Sequence, residues 1–245
     1  MTPVPRMPIR TSAPRSYRAV IALLRPPIAG LTRQDWHGAE HLPAEGGFIV
    51  AANHVSEIDP FTLAHFLVDH GCPPLFLAKS SLFELPVVGG ALHGLGQLPV
   101  YRGSSRAGDA LQAAERAVQA GSCVVILPEG TLTRDPGLWP MRAKTGVGRL
   151  ALATGAPVVP VAQWGPQQLL PPYARRPRGL FSRVRMQVAA GPPVDLADLR
   201  GEGQAESPVA LRQATDRVMA AITRQLEELR GERAPEQPYQ HGGDR

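Results

Sequence analysis

Polar residues able to do chemistry follow an apolar run of the kind that forms a buried β-strand. The segment NHVSEID, residues 53–59, comes directly after the run at residues 47–52. A histidine followed five residues later by an aspartate lets the carboxylate fold back onto one ring nitrogen, which leaves the other nitrogen as a proton acceptor. This spacing indicates a general base, His54, oriented by Asp59. The alternative is a loop histidine beside an aspartate that caps the next helix.

Two further segments present polar groups after predicted strands. Glu129, Gly130 and Thr131 follow the apolar run 123–127, and Arg102 follows the run 97–101. Gly130 permits close backbone approach, Thr131 offers a hydroxyl and an amide, and an arginine binds anions. A plain turn and a solvated surface arginine are the alternatives. Because ligands gather at the carboxyl ends of strands in open α/β sheets, the three segments together indicate activation of a hydroxyl beside an anionic group.

Other chemistries have little support in the sequence. It contains no G-x-S-x-G segment, and Cys123 lies within a predicted buried strand, where a cysteine is usually an inert small hydrophobe. Two cysteines form neither a disulfide scaffold nor a four-cysteine zinc site. The seven histidines lack the close spacing of HxH or HExxH. We therefore expect neither a covalent intermediate nor a metal.

The elements that must position these residues alternate between strand and helix. Apolar runs predict strands at residues 47–52, 75–78, 97–101, 123–127, 157–162 and 183–189. Helical spacing predicts helices at residues 16–25, 59–70, 107–120, 144–154 and 208–230, with Asp59 as an N-cap. This alternation predicts a single α/β domain with a mostly parallel central sheet flanked by helices. Its expected bounds are 35–230, after a partly disordered basic extension at 1–34 and before a flexible tail at 231–245.

Charge is distributed unevenly along the 245 residues. The net charge is +5, but residues 1–34 contain six arginines and no acid, and a further five arginines lie within residues 175–185. Together with the apolar face of the predicted helix at 16–25, the arginines of residues 1–34 are typical of a segment on an anionic membrane surface. The alternative is a helix packed on the domain itself. For the cluster at 175–185, the phosphates of coenzyme A, acyl carrier protein, lipid headgroups and a solvated loop all stay open. Apolar stretches are too short to span a bilayer, and no signal peptide is recognisable, so we expect a cytoplasmic setting.

Four ordered blocks give the sequence a specific resemblance. NHVSEID, GQLPVYR (96–102), LPEGT (127–131) and VVPVA (158–162) resemble, in order and spacing, the motifs of the 1-acyl-sn-glycerol-3-phosphate acyltransferases. Lys79 and Lys144 also lie where that family usually has lysines. The resemblance covers roughly residues 36–190. In the third block Leu132 and Thr133 replace the family's usual Arg-Ser pair. Two substitutes for the missing charge are open: Arg134, or Arg102 together with Lys144.

The resemblance implies a reaction. His54, held by Asp59, would remove the proton from the sn-2 hydroxyl of 1-acyl-glycerol 3-phosphate, which then attacks an acyl thioester to form phosphatidate. No cofactor is implied, because acyl-CoA or acyl carrier protein serves as co-substrate. The residues implied in substrate binding are Lys79, Arg102, Glu129, Gly130, Thr131, Arg134 and Lys144. The partners implied are the lysophospholipid, the acyl donor and an anionic membrane surface, on the cytoplasmic face of the cell membrane.

Several alternatives to this function remain at the level of the sequence. The same chemistry could act on glycerol 3-phosphate, another lysophospholipid or a glycolipid. A non-catalytic membrane lipid-binding protein and a thioesterase are further readings of the same blocks. Nucleic-acid binding is the least favoured, because aromatic residues are only 5% of the chain.

Overall fold

The computed structural model describes Tyr17 and residues 30–101, 107–174, 176–178, 183–201 and 203–240. Seven strands are found there: β1 (Thr32–His37), β2 (Phe48–Ala52), β3 (Pro74–Lys79), β4 (Leu98–Val100), β5 (Cys123–Ile126), β6 (Val158–Trp164) and β7 (Val184–Ala190). The α-helices are α1 (Asp59–Asp69), α2 (Val88–Gly94), α3 (Ala107–Gln119), α4 (Gly146–Thr154), α5 (Pro166–Leu169) and α6 (Pro208–Arg230).

All seven strands join one sheet in the order β1-β7-β6-β2-β5-β3-β4. Strands β6, β2, β5, β3 and β4 run parallel to one another, whereas β7 is antiparallel to β6 and parallel to β1. The carboxyl ends of the five parallel strands therefore lie at a single edge, called here the carboxyl edge. Parallel strands of this kind need crossover connections, which the helices supply.

Strand β2 lies at the centre of the molecule, with every residue buried. Because side chains alternate across a sheet, Phe48, Val50 and Ala52 pack into one core, and Ile49 and Ala51 into the other. The first core is closed by α1, and the second by α3, α4 and α6. The result is three layers, with helices covering both faces of the sheet. This confirms the predicted α/β domain with a mostly parallel sheet.

The predicted elements agree with the structure except in four places. The short helix α5, directly after β6, was not predicted. Strand β1 was not predicted, and it begins at Thr32, within the segment assigned to the basic extension. Helix α2 lies in the Gly-rich stretch between β3 and β4, where no helix was expected. The N-cap of α1 is Ile58, not Asp59, and no side chain caps it. The Asp59 carboxylate is used elsewhere.

Two predicted features fall mostly or wholly outside the described residues, namely the helix at 16–25 and the side chain of Arg102. Tyr17 is the exception. It is buried, and its hydroxyl donates a hydrogen bond to the carbonyl oxygen of Pro74 at 3.2 Å. Pro74 is the first residue of β3, so this contact lies at the edge opposite the carboxyl edge. At this one position the chain packs on its own domain.

Candidate active site

Three loops meet at the carboxyl edge, where they follow the adjacent strands β5, β2 and β6. Asn53 joins the loop after β2 to the end of β6, because its side chain exchanges hydrogen bonds with the backbone N–H and carbonyl of Gln163, at 2.8 and 3.1 Å. The Gln163 amide returns a bond to the carbonyl of Asn53 at 2.9 Å. Ser56 donates to the carbonyl of Leu170 at 2.6 Å. These bonds fix the loop that carries the candidate base.

His54 and Asp59 form the pair that the sequence predicts. His54 Nδ1 lies 2.8 Å from Asp59 Oδ2, and the histidine side chain is 13% exposed, whereas the aspartate is fully buried. Because a carboxylate only accepts hydrogen bonds, Nδ1 carries the proton and Nε2 is left as the acceptor. The geometry therefore leaves Nε2 in the unprotonated state that a general base requires.

The Asp59 carboxylate also organises the loop itself. Its Oδ2 accepts backbone N–H bonds from Val55 at 2.6 Å and from Ser56 at 2.8 Å, so one oxygen closes the loop and holds the imidazole. Oδ1 has no hydrogen-bond partner within the described chain. Burial raises the pKa of Asp59, and the hydrogen bonds from His54 and the two amides act against that rise.

Glu129 connects the base loop to the loop after β5. Its Oε1 accepts from the backbone N–H of His54 at 3.0 Å, and its Oε2 from that of Met141 at 2.9 Å. The residue is only 3% exposed. Burial, with smaller contributions from the charges of Asp59 and Asp135, raises its pKa to about 8 in spite of the two amide bonds. In this position Glu129 braces two loops, and each of its carboxyl oxygens accepts one backbone hydrogen bond.

The turn after β5 places Lys144 beside Gly130. Gly130 has a φ of 71°, a conformation that favours glycine, and the Lys144 side chain passes over its Cα at van der Waals distance from where a Cβ would stand. The Lys144 backbone N–H donates to the carbonyl of Pro128 at 3.0 Å. Thr131 follows at a half-buried position. A cation and a partly exposed hydroxyl thus flank one turn, next to the base loop.

The chain matches the family model described as Acyltransferase over residues 33–164, more than half of its length. That span contains β2 to β6, all of β1 except its first residue, and the His54–Asp59 pair. The chain belongs to the acyltransferase family.

Curated relatives of this acyltransferase are called 1-acyl-sn-glycerol-3-phosphate acyltransferases. The chloroplast protein BAT2 of Brassica napus is 33% identical over 57% of this chain and 39% of its own. The Bacillus subtilis protein is 25% identical over a match that covers 79% of this chain and 89% of its own. The Borreliella burgdorferi protein is 34% identical over a match that covers 51% of this chain and 48% of its own. The matches therefore span most of the Bacillus relative and less than half of the other two.

A solved structure has the same fold. The 1-acyl-sn-glycerophosphate acyltransferase PlsC of Thermotoga maritima superposes with a TM-score of 0.66 at 24% identity, over 89% of this chain and 81% of that one. Its strand and helix arrangement is therefore shared by this acyltransferase.

The expected binding residues of the acyltransferase do not all lie together. Gly130, Thr131 and Lys144 adjoin the base loop, whereas Lys79 is exposed at the end of β3, two strands from β2. The side chain of Arg134 lies further along the loop after β5, where its Nε donates to the hydroxyl of Tyr173 at 3.3 Å. That hydroxyl donates in turn to the carbonyl of Leu132 at 2.9 Å.

Sequence reasoning missed the residues that support the loop after β5 from a distance. Arg230, the last residue of α6, lies between Trp139 and Trp164, with its guanidinium carbon 3.9 and 4.3 Å from the two ring centroids. It also donates to the carbonyl of Gly137 at 2.8 Å. Cation–π contacts of this kind are strongest when desolvated. No local sequence signal links Arg230 to a loop about 90 positions earlier.

The described part of the chain shows neither a metal-binding cluster nor a membrane-spanning helix. No cluster of three or more His, Cys, Asp or Glu side chains is placed to hold a metal ion there. Nor does any helix in those residues have the length and apolar character needed to cross a membrane.

Proposed function

We propose that this acyltransferase moves an acyl chain from an acyl thioester, either acyl-CoA or acyl carrier protein, to the sn-2 hydroxyl of 1-acyl-glycerol 3-phosphate, forming phosphatidate. The observation that carries the proposal is the 2.8 Å contact between His54 Nδ1 and the buried Asp59 Oδ2. It provides a base with a free ring nitrogen at the carboxyl edge. The names of the relatives support the choice of acceptor.

The proposed reaction needs no acyl-enzyme. His54 Nε2 accepts the hydroxyl proton as the acceptor oxygen attacks the thioester carbonyl carbon. The tetrahedral intermediate then expels the sulfur, and the imidazolium returns its proton to the departing thiolate. The products are an ester and a free thiol. During the step Asp59 stabilises the imidazolium and keeps Nε2 pointed at the substrate.

The phosphate of the acceptor needs cations near the base. We assign Lys144 to it first, because its side chain lies over Gly130, next to the loop that carries His54. Arg134 and Arg102 are further candidates from the sequence, and Thr131 offers a hydroxyl. Glu129 is assigned a positioning role, since both of its carboxylate oxygens already accept backbone hydrogen bonds.

The test is thiol release from palmitoyl-CoA and from palmitoyl carrier protein, each with and without lysophosphatidate. Release that depends on the acceptor and yields phosphatidate is the expected result. Release at the same rate without the acceptor would show a thioesterase instead. No release from either donor with lysophosphatidate, but release with glycerol 3-phosphate, would move the same chemistry to that acceptor.

A further inference from the structure

The turn between β3 and α2 exposes a compact set of apolar side chains. Leu82, Leu85, Val87 and Val88 are 40%, 47%, 88% and 46% exposed, and they lie within seven consecutive residues. We call these four residues the apolar turn. Single exposed apolar residues are common on protein surfaces, but a contiguous set usually marks an interaction site.

The apolar turn is ordered, so its side chains are held outward by structure. The N–H of Gly89 donates to the carbonyl of Leu85 at 2.8 Å, and the N–H of Ala91 donates to that of Val87 at 2.9 Å. Phe83 is half-buried and packs edge-on against the ring of His93, with centroids 5.0 Å apart. The aromatic side chain of the segment therefore has a ring partner and is half-buried, whereas the four aliphatic side chains are exposed.

Val87 is also strained. Its φ is 38°, which is a rare conformation for a β-branched residue, and it is the most exposed large hydrophobic residue of those described. Strained residues persist where the surrounding structure holds them, and they concentrate at binding sites. Here the strain turns the chain into α2 and leaves the valine side chain at the tip.

The position of the apolar turn relates it to the active site. It follows β3 at the carboxyl edge, and β3 is two strands from β2, or about 10 Å across the sheet at the usual strand spacing. The exposed Lys79 lies at the start of the turn, although Glu84 within it carries the opposite charge. Tyr17, by contrast, contacts Pro74 at the other end of the same strand.

We propose that the apolar turn inserts into the surface of a lipid bilayer and thereby brings the carboxyl edge, with His54, to acceptors within that bilayer. The inference rests on the proposed function, because lysophosphatidate and phosphatidate are amphiphiles that partition into bilayers. Aliphatic side chains at an ordered tip, next to a lysine, suit the region between acyl chains and anionic headgroups. The surface is distinct from the basic extension at residues 1–34.

The test uses the full-length protein and sedimentation with vesicles of phosphatidylcholine and phosphatidylglycerol. We expect the variant Leu85→Asp/Val87→Asp to lower the partition coefficient at least about tenfold, since two apolar side chains are replaced by charges. The matched control is Val209→Asp, because Val209 is 66% exposed on α6. It should change the partition coefficient by less than about twofold. The milder Leu85→Ser/Val87→Ser variant should fall between the two.

Wild-type binding by the double variant would overturn the proposal, as would an equal loss in the Val209→Asp control. A loss confined to binding of acyl carrier protein would also overturn it and would make the apolar turn a protein-docking surface. Turnover of a short-chain, monomeric lysophosphatidate is measured without vesicles in the same preparations. If the wild type binds vesicles through the apolar turn but does not acylate this acceptor, the proposed function is wrong, whereas the assignment of the apolar turn as a bilayer-binding surface is retained.

Discussion

The loop after β2 and the turn after β3 leave the same edge of the sheet, yet they are built in opposite ways. In the loop after β2, Asn53, Ser56 and Asp59 are buried and hydrogen-bonded and the His54 side chain is only 13% exposed, whereas Glu57 is exposed. In the turn after β3, the contacts come from backbone hydrogen bonds and the half-buried ring of Phe83, while the aliphatic side chains are exposed. One segment conceals polar groups, and the other exposes apolar ones.

This difference follows from what each segment is proposed to do. A general base works only when its ring is held in one orientation and one tautomer, which requires fixed polar partners away from water. Binding to a bilayer requires exposed apolar area without a fixed partner geometry. The comparison therefore separates chemistry, assigned to the loop after β2, from lipid contact, assigned to the turn after β3.

The largest expected effect comes from removing the base. His54→Ala should lower kcat by about a thousandfold, because a positioned base typically contributes between about a hundredfold and ten-thousandfold. Steady-state kinetics with a soluble acceptor measures this, and thermal unfolding checks the fold. The matched control is His37→Ala, which removes a histidine that lies 3.1 Å from Asp35 on the surface. If both variants lose activity equally, the base assignment is wrong.

Glu129, which braces the loops after β2 and β5, should make the free energy of unfolding depend on pH. We expect this effect to be smaller than the loss of activity in His54→Ala. The folded protein holds the Glu129 proton up to a pKa of about 8, whereas the usual value is 4.5. Between these values the folded state binds more protons than the unfolded one, so the unfolding free energy falls as the pH rises, by at most about 1.4 kcal/mol per pH unit. From pH 5 to pH 8, the wild type should therefore lose on the order of 3 kcal/mol relative to Glu129→Gln.

Urea unfolding at pH 5, 6.5 and 8 measures this difference. Glu84→Gln in the turn after β3 is the control, because an exposed substitution should change the unfolding free energy by less than about 0.5 kcal/mol. A difference between wild type and Glu129→Gln that stays constant with pH would show that the Glu129 proton is not held more tightly in the folded state.

The smallest effect concerns the acceptor phosphate. Lys144→Ala should raise KM for lysophosphatidate by about fivefold with little change in kcat, which corresponds to roughly 1 kcal/mol for an exposed charge pair. The control is Arg149→Ala. Arg149 is also an exposed cation, and it lies on α4, shortly after Lys144 in the sequence. Equal KM changes in the two variants would mean a general electrostatic effect and would shift the phosphate contact to Arg134 or Arg102.

The features that the sequence predicted well have strong local signals. Strand β2 is wholly apolar, and α6 has helical spacing, Pro208 at its start and Gly231 after its end, so both were predicted closely. Strand β1 was missed because an edge strand with the sequence TRQDWH lacks the apolar run of a central strand. Helix α2 was missed because three of its seven residues are glycines, which disfavour a helix.

In the candidate site, too, the contacts with a local sequence signal were predicted and those between distant segments were not. The five-residue spacing of His54 and Asp59 predicted their contact, since a single loop brings them together. The double use of Glu129 could not be predicted, because its second amide comes from Met141 in a loop with no regular structure. The same holds for Arg230, whose contact with Trp139 and Trp164 is made only when α6 packs on the sheet.

One crossed measurement tests the division between chemistry and lipid contact. Turnover is followed for wild type, His54→Ala and Leu85→Asp/Val87→Asp, with lysophosphatidate either monomeric in solution or embedded in anionic vesicles. We predict that His54→Ala loses turnover of both acceptors. The double variant should keep its turnover of the soluble acceptor, whereas its turnover of the vesicle-embedded acceptor should fall at least about tenfold. Retained turnover in His54→Ala, or an equal loss of both acceptors in the double variant, would contradict the account.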